Sequence, residues 1–134
     1  KNKFKFNKIY FEANWDMTKK QYDLEDRLVE YAASAIQLVK ALPSDYGFEI
    51  LGKQLIRSAT SSALNFAETQ GTITTKDYIH KASICLKELR ECSVNLKIMM
   101  KLENPNESMQ TLLFENTELV KIVTVIIKNK SLKL

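Results

Sequence analysis

Lys53-Gln54-Leu55-Ile56-Arg57-Ser58-Ala59-Thr60-Ser61-Ser62-Ala63-Leu64-Asn65-Phe66-Ala67-Glu68 decides the fold of this 134-residue chain. With Phe48 and Leu51 just ahead of it, the positions Leu55, Ala59, Ser62 and Phe66 step by three or four, the period of a helix with one inward face. Ser and Thr favour helices poorly, because their hydroxyls compete for backbone hydrogen bonds. The run at 58–62 therefore needs tertiary packing to stay helical, and its small side chains let a neighbouring helix approach closely.

Working outward, this helix is expected over about 45–69, behind Pro43-Ser44, which ends the element before it. Downstream, Thr74-x-x-Asp77 resembles a capping box with Asp in the place of Glu. It opens a helix over about 75–102 in which Ile79, Ala82, Leu86, Leu89, Ser93, Leu96 and Met100 step 3-4-3-4-3-4. At 1.5 Å per residue such an element is a rod of about 40 Å. Upstream, Asp23 is a suitable N-cap with Glu25 and Asp26 in the first turn. Leu24, Leu28, Tyr31, Ala35, Leu38 and Leu42 then form a bundle-type stripe over about 23–42, with Val29, Ala32, Ile36 and Val39 beside it. A fourth helix is expected over about 105–128, with Asn104 as N-cap, Pro105 at N1 and Glu107 at N3. Its second half, Leu119 to Ile127, is apolar nearly all round; the start signal argues against a strand there in spite of the β-branched residues. The fold class is all-α, an antiparallel up-down-up-down four-helix bundle. Two wide stripes on the first helix and the over-apolar fourth helix imply a second buried surface, and a homo-oligomer is the simplest way to supply it.

Composition agrees with one globular domain: 45% hydrophobic, 27% charged, three Gly and two Pro, so few turns. The net charge of +4 lies at the ends. Residues 1–20 carry six Lys against Glu12 and Asp16, and residues 21–134 are balanced. Residues 1–20, where Lys alternates with Phe4, Phe6, Tyr10 and Phe11, are set apart as an extension, with a natural start expected at Met17. The alternation also suits a strand or an arm against a membrane surface or nucleic acid. The start lacks the apolar run of a signal peptide, and no stretch reaches the roughly 20 apolar residues of a membrane span. Cys85 and Cys92, two turns or about 10 Å apart on one helix, cannot pair with each other. They read as small buried residues of a reduced, cytoplasmic protein.

Chemical constellations are scarce. His80 is the one histidine, so a paired Glu-x-x-His di-metal site and a Ser/His/Asp triad both lack parts. There is no Gly-rich phosphate loop. No cofactor, metal or catalytic residue is indicated. Two polar features remain. Arg57, Ser61, Asn65 and Glu68 line one flank of the second helix; Lys81, Cys85, Glu88 and Cys92 line the facing flank of the third. With the hairpin turning near residue 72 or 73, Arg57 falls opposite Glu88, and Glu68 within a turn of Lys81. Such pairs fix register more than they stabilise; a polar ligand cleft is the functional alternative. Second, Lys76, Lys87, Arg90, Lys97 and Lys101 fall within about 80° on the third helix. On one subunit that is a solvated face; repeated around an oligomer it becomes a basic ring suited to phosphates.

Gln54-Leu55-x-Arg57-Ser58-x-x-Ser61, Asn65-x-Ala67-Glu68, Lys76-Asp77-Tyr78-Ile79 and Leu86-Lys87-Glu88-Leu89-Arg90-Glu91 resemble the four-helix-bundle family of 23S rRNA intervening-sequence proteins. The accessory protein of diversity-generating retroelements belongs to the same group. The similarity covers about residues 22–128. It implies an antiparallel bundle assembled as a homopentamer, without enzymatic activity, acting as an accessory or binding protein for RNA, DNA or a reverse transcriptase. A scaffold for protein partners alone is the competing expectation.

Overall fold

The computed structural model describes residues 20–102 and 105–134. Expectations placed on residues 1–19, the N-terminal extension among them, lie outside that range. The described chain contains four helices and no strand: α1 (Lys20–Lys40), α2 (Tyr46–Glu68), α3 (Thr75–Leu102) and α4 (Glu107–Ser131), with a 3-10 turn, Thr69–Gly71, after α2. Consecutive helices pack side by side and α4 packs back against α1, so all four enclose one core. Leu24, Leu28 and Ala35 of α1, Leu55 and Phe66 of α2, Leu89 and Leu96 of α3, and Leu119 and Val123 of α4 are fully buried in it.

Capping chemistry sets the helix starts. The Asp45 carboxylate accepts from Phe48 N–H at 2.9 Å, and Thr74 Oγ1 accepts from Asp77 N–H at 3.0 Å. Two expected starts are corrected. α1 begins at Lys20, so Asp23 lies inside the first turn instead of capping it. α4 is capped by Asn106, whose side chain accepts from Met109 N–H at 2.8 Å, two residues beyond the Asn104 that the pattern selects. The physical reason is burial: Met109 is the first core residue of α4, and a turn built earlier would carry nothing apolar to bury. The Ser/Thr-rich centre of α2 is held helical by packing, with Ser58, Ala59, Ser62 and Ala63 buried, while its hydroxyls are satisfied within the helix, Thr60 by Ile56 O (2.8 Å) and Ser62 by Ala59 O (2.7 Å).

The buried face of α3 also differs from expectation. Ala82, Leu89 and Leu96 point inward as expected, but Tyr78, Cys85, Cys92 and Met99 take the places assigned to Ile79, Leu86, Ser93 and Met100. The face is turned by about 50°, half the angle between successive residues. Thiols are small, and α2 presents the equally small Ser58, Ala59, Ser62 and Ala63 as buried residues. With the cysteine side turned to the core, Glu88 and Asn95 on the same side are buried too. Partners across α2 and α3 run in opposite senses, Gln54 with Asn95, Arg57 with Glu88, Glu68 with Lys81. Across α3 and α4 they do so too: Leu89 O meets Asn116, and Lys130 Nζ lies 4.4 Å from the Tyr78 ring centre.

Candidate ligand groove between the second and third helices

The rotation of α3 places polar side chains at the seam with α2. Glu88 is buried, and its carboxylate lies 3.8 Å from Arg57 Nη1; Glu91, one turn on, lies 3.9 Å from Arg57 Nη2. Both distances exceed a charge-assisted hydrogen bond, so the guanidinium sits between two carboxyl groups without gripping either. A hydrogen bond with Glu88, followed by partial burial and the Glu88 charge, holds the Glu91 carboxyl above its ordinary pKa. Farther along, Glu68 and Lys81 form a direct 2.7 Å pair at the surface. Of the four residues expected as register-setting pairs, Glu68 and Lys81 meet closely, while Arg57 and Glu88 meet loosely beside an open groove.

That groove has a volume of about 580 Å³ and is lined by Gln54, Arg57 and Ser58 from α2 and by Lys87, Arg90, Glu91, Val94, Asn95 and Ile98 from α3. Of the five basic residues expected along α3, Lys87 and Arg90 line it; Lys76, Lys97 and Lys101 are exposed elsewhere on the helix. Arg57 joins them from α2, so the site spans two helices where the sequence pattern showed a stripe on one. Asn95 is 7% exposed, and its Nδ2 reaches Gln54 Oε1 only at 3.4 Å while its Oδ1 has no partner. Gln54, Ser58 and Asn95 were not anticipated as site residues. A polar residue that the 3-4 spacing puts next to the core, as Asn95 stands beside Leu96, was the available signal.

A second polar cluster lies deeper. Asn116 Nδ2 donates to Tyr31 Oη at 2.7 Å and to Leu89 O at 2.8 Å, tying α4 to α1 and α3. Burial pushes the Tyr31 hydroxyl well above its ordinary pKa, and it pushes the Cys85 and Cys92 thiols up to about 12. These groups are neutral, enclosed and suited to structure. Nearby, Arg27 grips Glu115 with two hydrogen bonds of 2.6 and 2.8 Å across α1 and α4. Among the described residues no three His, Cys, Asp or Glu side chains converge as metal ligands, and no helix is long and apolar enough to cross a membrane.

The family model of the 23S rRNA-intervening sequence proteins matches residues 20–125, which take in α1 to α3 and most of α4. The chain belongs to this family. A member of the S23 ribosomal protein family from Bacteroides thetaiotaomicron VPI-5482, a protein of unknown function solved by crystallography, is similar in structure. The TM-score is 0.71 at 27% identity, over 78% of this chain and 98% of that one. Among curated proteins none matches the chain. The family match covers both helices of the groove and Asn116 with its partners on α1 and α3, where three helices meet.

Proposed function

We propose that this family member is a non-enzymatic, cytoplasmic accessory protein that binds nucleic acid or a nucleic-acid enzyme, working as a homopentamer of up-down-up-down bundles. The observation that supports this reading is the convergence of Arg57, Lys87 and Arg90 from two helices on one groove. Phosphate backbones are bound by such clustered cations, and affinity grows with the number of phosphates contacted. The body from 21 to 134 is neutral as a whole, so binding depends on where the cations sit and on how many copies present them together.

The test is binding of fluorescently labelled RNA and DNA to the assembled protein across a salt series. Affinity that falls steeply with salt, with a slope reduced by about one for each cation removed, is the expected outcome. Absence of binding even at low salt would overturn the reading. It would favour a scaffold for protein partners, for which Val94, Ile98 and Leu102 speak, three exposed apolar residues four apart on α3.

A further inference from the structure

The geometry points to the α2–α3 groove as a pocket for one unpaired nucleotide, its phosphates held by Arg57, Lys87 and Arg90 and its base edge met by Asn95 and Gln54. This rests on the nucleic-acid reading and narrows it to single-stranded or looped chains. A volume of about 580 Å³ falls within the roughly 300–1,000 Å³ of small-ligand sites and has room for a nucleotide. It also has two chemically distinct ends. On α3, Lys87 and Arg90 supply positive charge, while Val94 and Ile98, one and two turns farther on, supply an apolar wall. A duplex offers its phosphates to the first end but keeps its base faces stacked away from the second. An unstacked nucleotide satisfies both.

The polar groups between the two ends are under-used. Asn95 is more than nine-tenths buried, yet it has one long hydrogen bond and an unpartnered carbonyl oxygen. Ser58, also buried, lines the groove beside it. Buried polar groups left without partners are costly, so this lining gains from a ligand that both donates and accepts. Nucleobase edges do that; Asn and Gln amides recognise adenine by one donor and one acceptor contact together. An inorganic anion or a carboxylate ligand offers acceptors alone, so the Asn95 carbonyl would stay unpaired. Glu91, the one exposed acid in the lining, opposes a bare anion but accepts from a base amino group.

The experiment compares a labelled 12-nucleotide single-stranded RNA with the same RNA in duplex form by fluorescence anisotropy, using the full-length protein. The single strand is expected to bind at least about tenfold tighter. Asn95→Leu, close in shape and confirmed as folded by circular dichroism, is expected to lower single-strand affinity by about five- to twentyfold and to leave duplex affinity unchanged. Gln54→Ala changes an exposed side chain and carries the same test should Asn95→Leu fail to fold. Arg90→Gln is expected to weaken both forms and to flatten the salt dependence. Equal binding of both forms, or unchanged single-strand binding by Gln54→Ala and a folded Asn95→Leu, overturns the pocket while leaving the nucleic-acid reading intact. So does displacement of the RNA by polyglutamate as readily as by unlabelled RNA. No binding of either form sinks that reading, and the pocket with it.

Discussion

Asn116 shows how a single polar side chain can order a core. It sits 1% exposed in α4 and donates both to the Tyr31 hydroxyl of α1 and to the Leu89 carbonyl of α3. Sliding any of these three helices by one turn, about 5.4 Å, would leave a buried amide without partners. The sequence carried this signal, because Asn116 stands at a core step between Leu112 and Leu119, where a lone polar residue specifies alignment. The nearby thiols obey the opposite logic. Cys85 and Cys92 are fully enclosed and stay protonated to about 12. In the folded protein at pH 8 they should resist iodoacetamide and react only after denaturant is added; labelling of the native protein within minutes would contradict that burial. Unfolding lets them ionise at the ordinary thiol value, while the folded state holds them neutral. Their contribution to stability is therefore fully present below about pH 9 and is lost as pH rises from there towards 12. Urea midpoints measured across that window should fall, and replacing both cysteines with Ala should remove much of the dependence.

Between elements, the α2–α3 seam combines two kinds of contact with different tolerances. Glu88 is buried, whereas its partner Arg57 is well exposed, so removing only Arg57 strands a carboxylate inside. Arg57→Leu should cost about 1–2 kcal/mol in urea unfolding, and adding Glu88→Leu should recover much of it. A double variant as unstable as the sum of the single ones would show that the pair is not coupled. The α1–α2 contact is steric. A Cβ added at Gly52 would come within 2.8 Å of Val39 Cγ1, a branched and stiff side chain. Gly52→Ala should therefore lower the melting temperature in spite of a helix-propensity gain of about 1 kcal/mol, and Val39→Ala in the same chain should relieve the clash. The helices themselves were legible from the sequence, because Pro43-Ser44, Thr74 and the apolar steps mark them locally, although the cap of α2 falls on Asp45, one residue beyond the Ser44 the pattern offers. The phase of α3 was not. Counting Leu86 and Met100 as inward follows hydrophobicity, but both are only partly buried at the edge of the core, while the thiols of Cys85 and Cys92 are fully enclosed. The Arg57–Glu88 pairing was legible from the facing flanks, whereas the groove's lining was not: Asn95 reaches the seam only with that rotation.

At the scale of the whole molecule, one bundle leaves apolar residues in contact with water. Val29 on α1, Val125 on α4 and Leu102 on α3 are all substantially exposed and lie outside the groove lining. Burial of such residues by further copies, worth about 25 cal/mol per Å² covered, is what the proposed pentamer supplies. Multi-angle light scattering of the full chain should give five times the 15.4 kDa subunit mass; a monomer mass at micromolar concentration would remove the assembly from the proposal. The bundle also has a temporal asymmetry. The groove belongs to one hairpin, whose contacts join residues near each other in the chain, whereas the Arg27–Glu115 clasp spans 88 positions. Short loops close readily and long ones late, since closure entropy grows with loop length. The hairpin that carries the groove is therefore expected to gain its shape before α1 and α4 meet. Removing the clasp, as in Arg27→Gln, is then expected to speed unfolding of the finished bundle and to change its folding rate little in stopped-flow measurements.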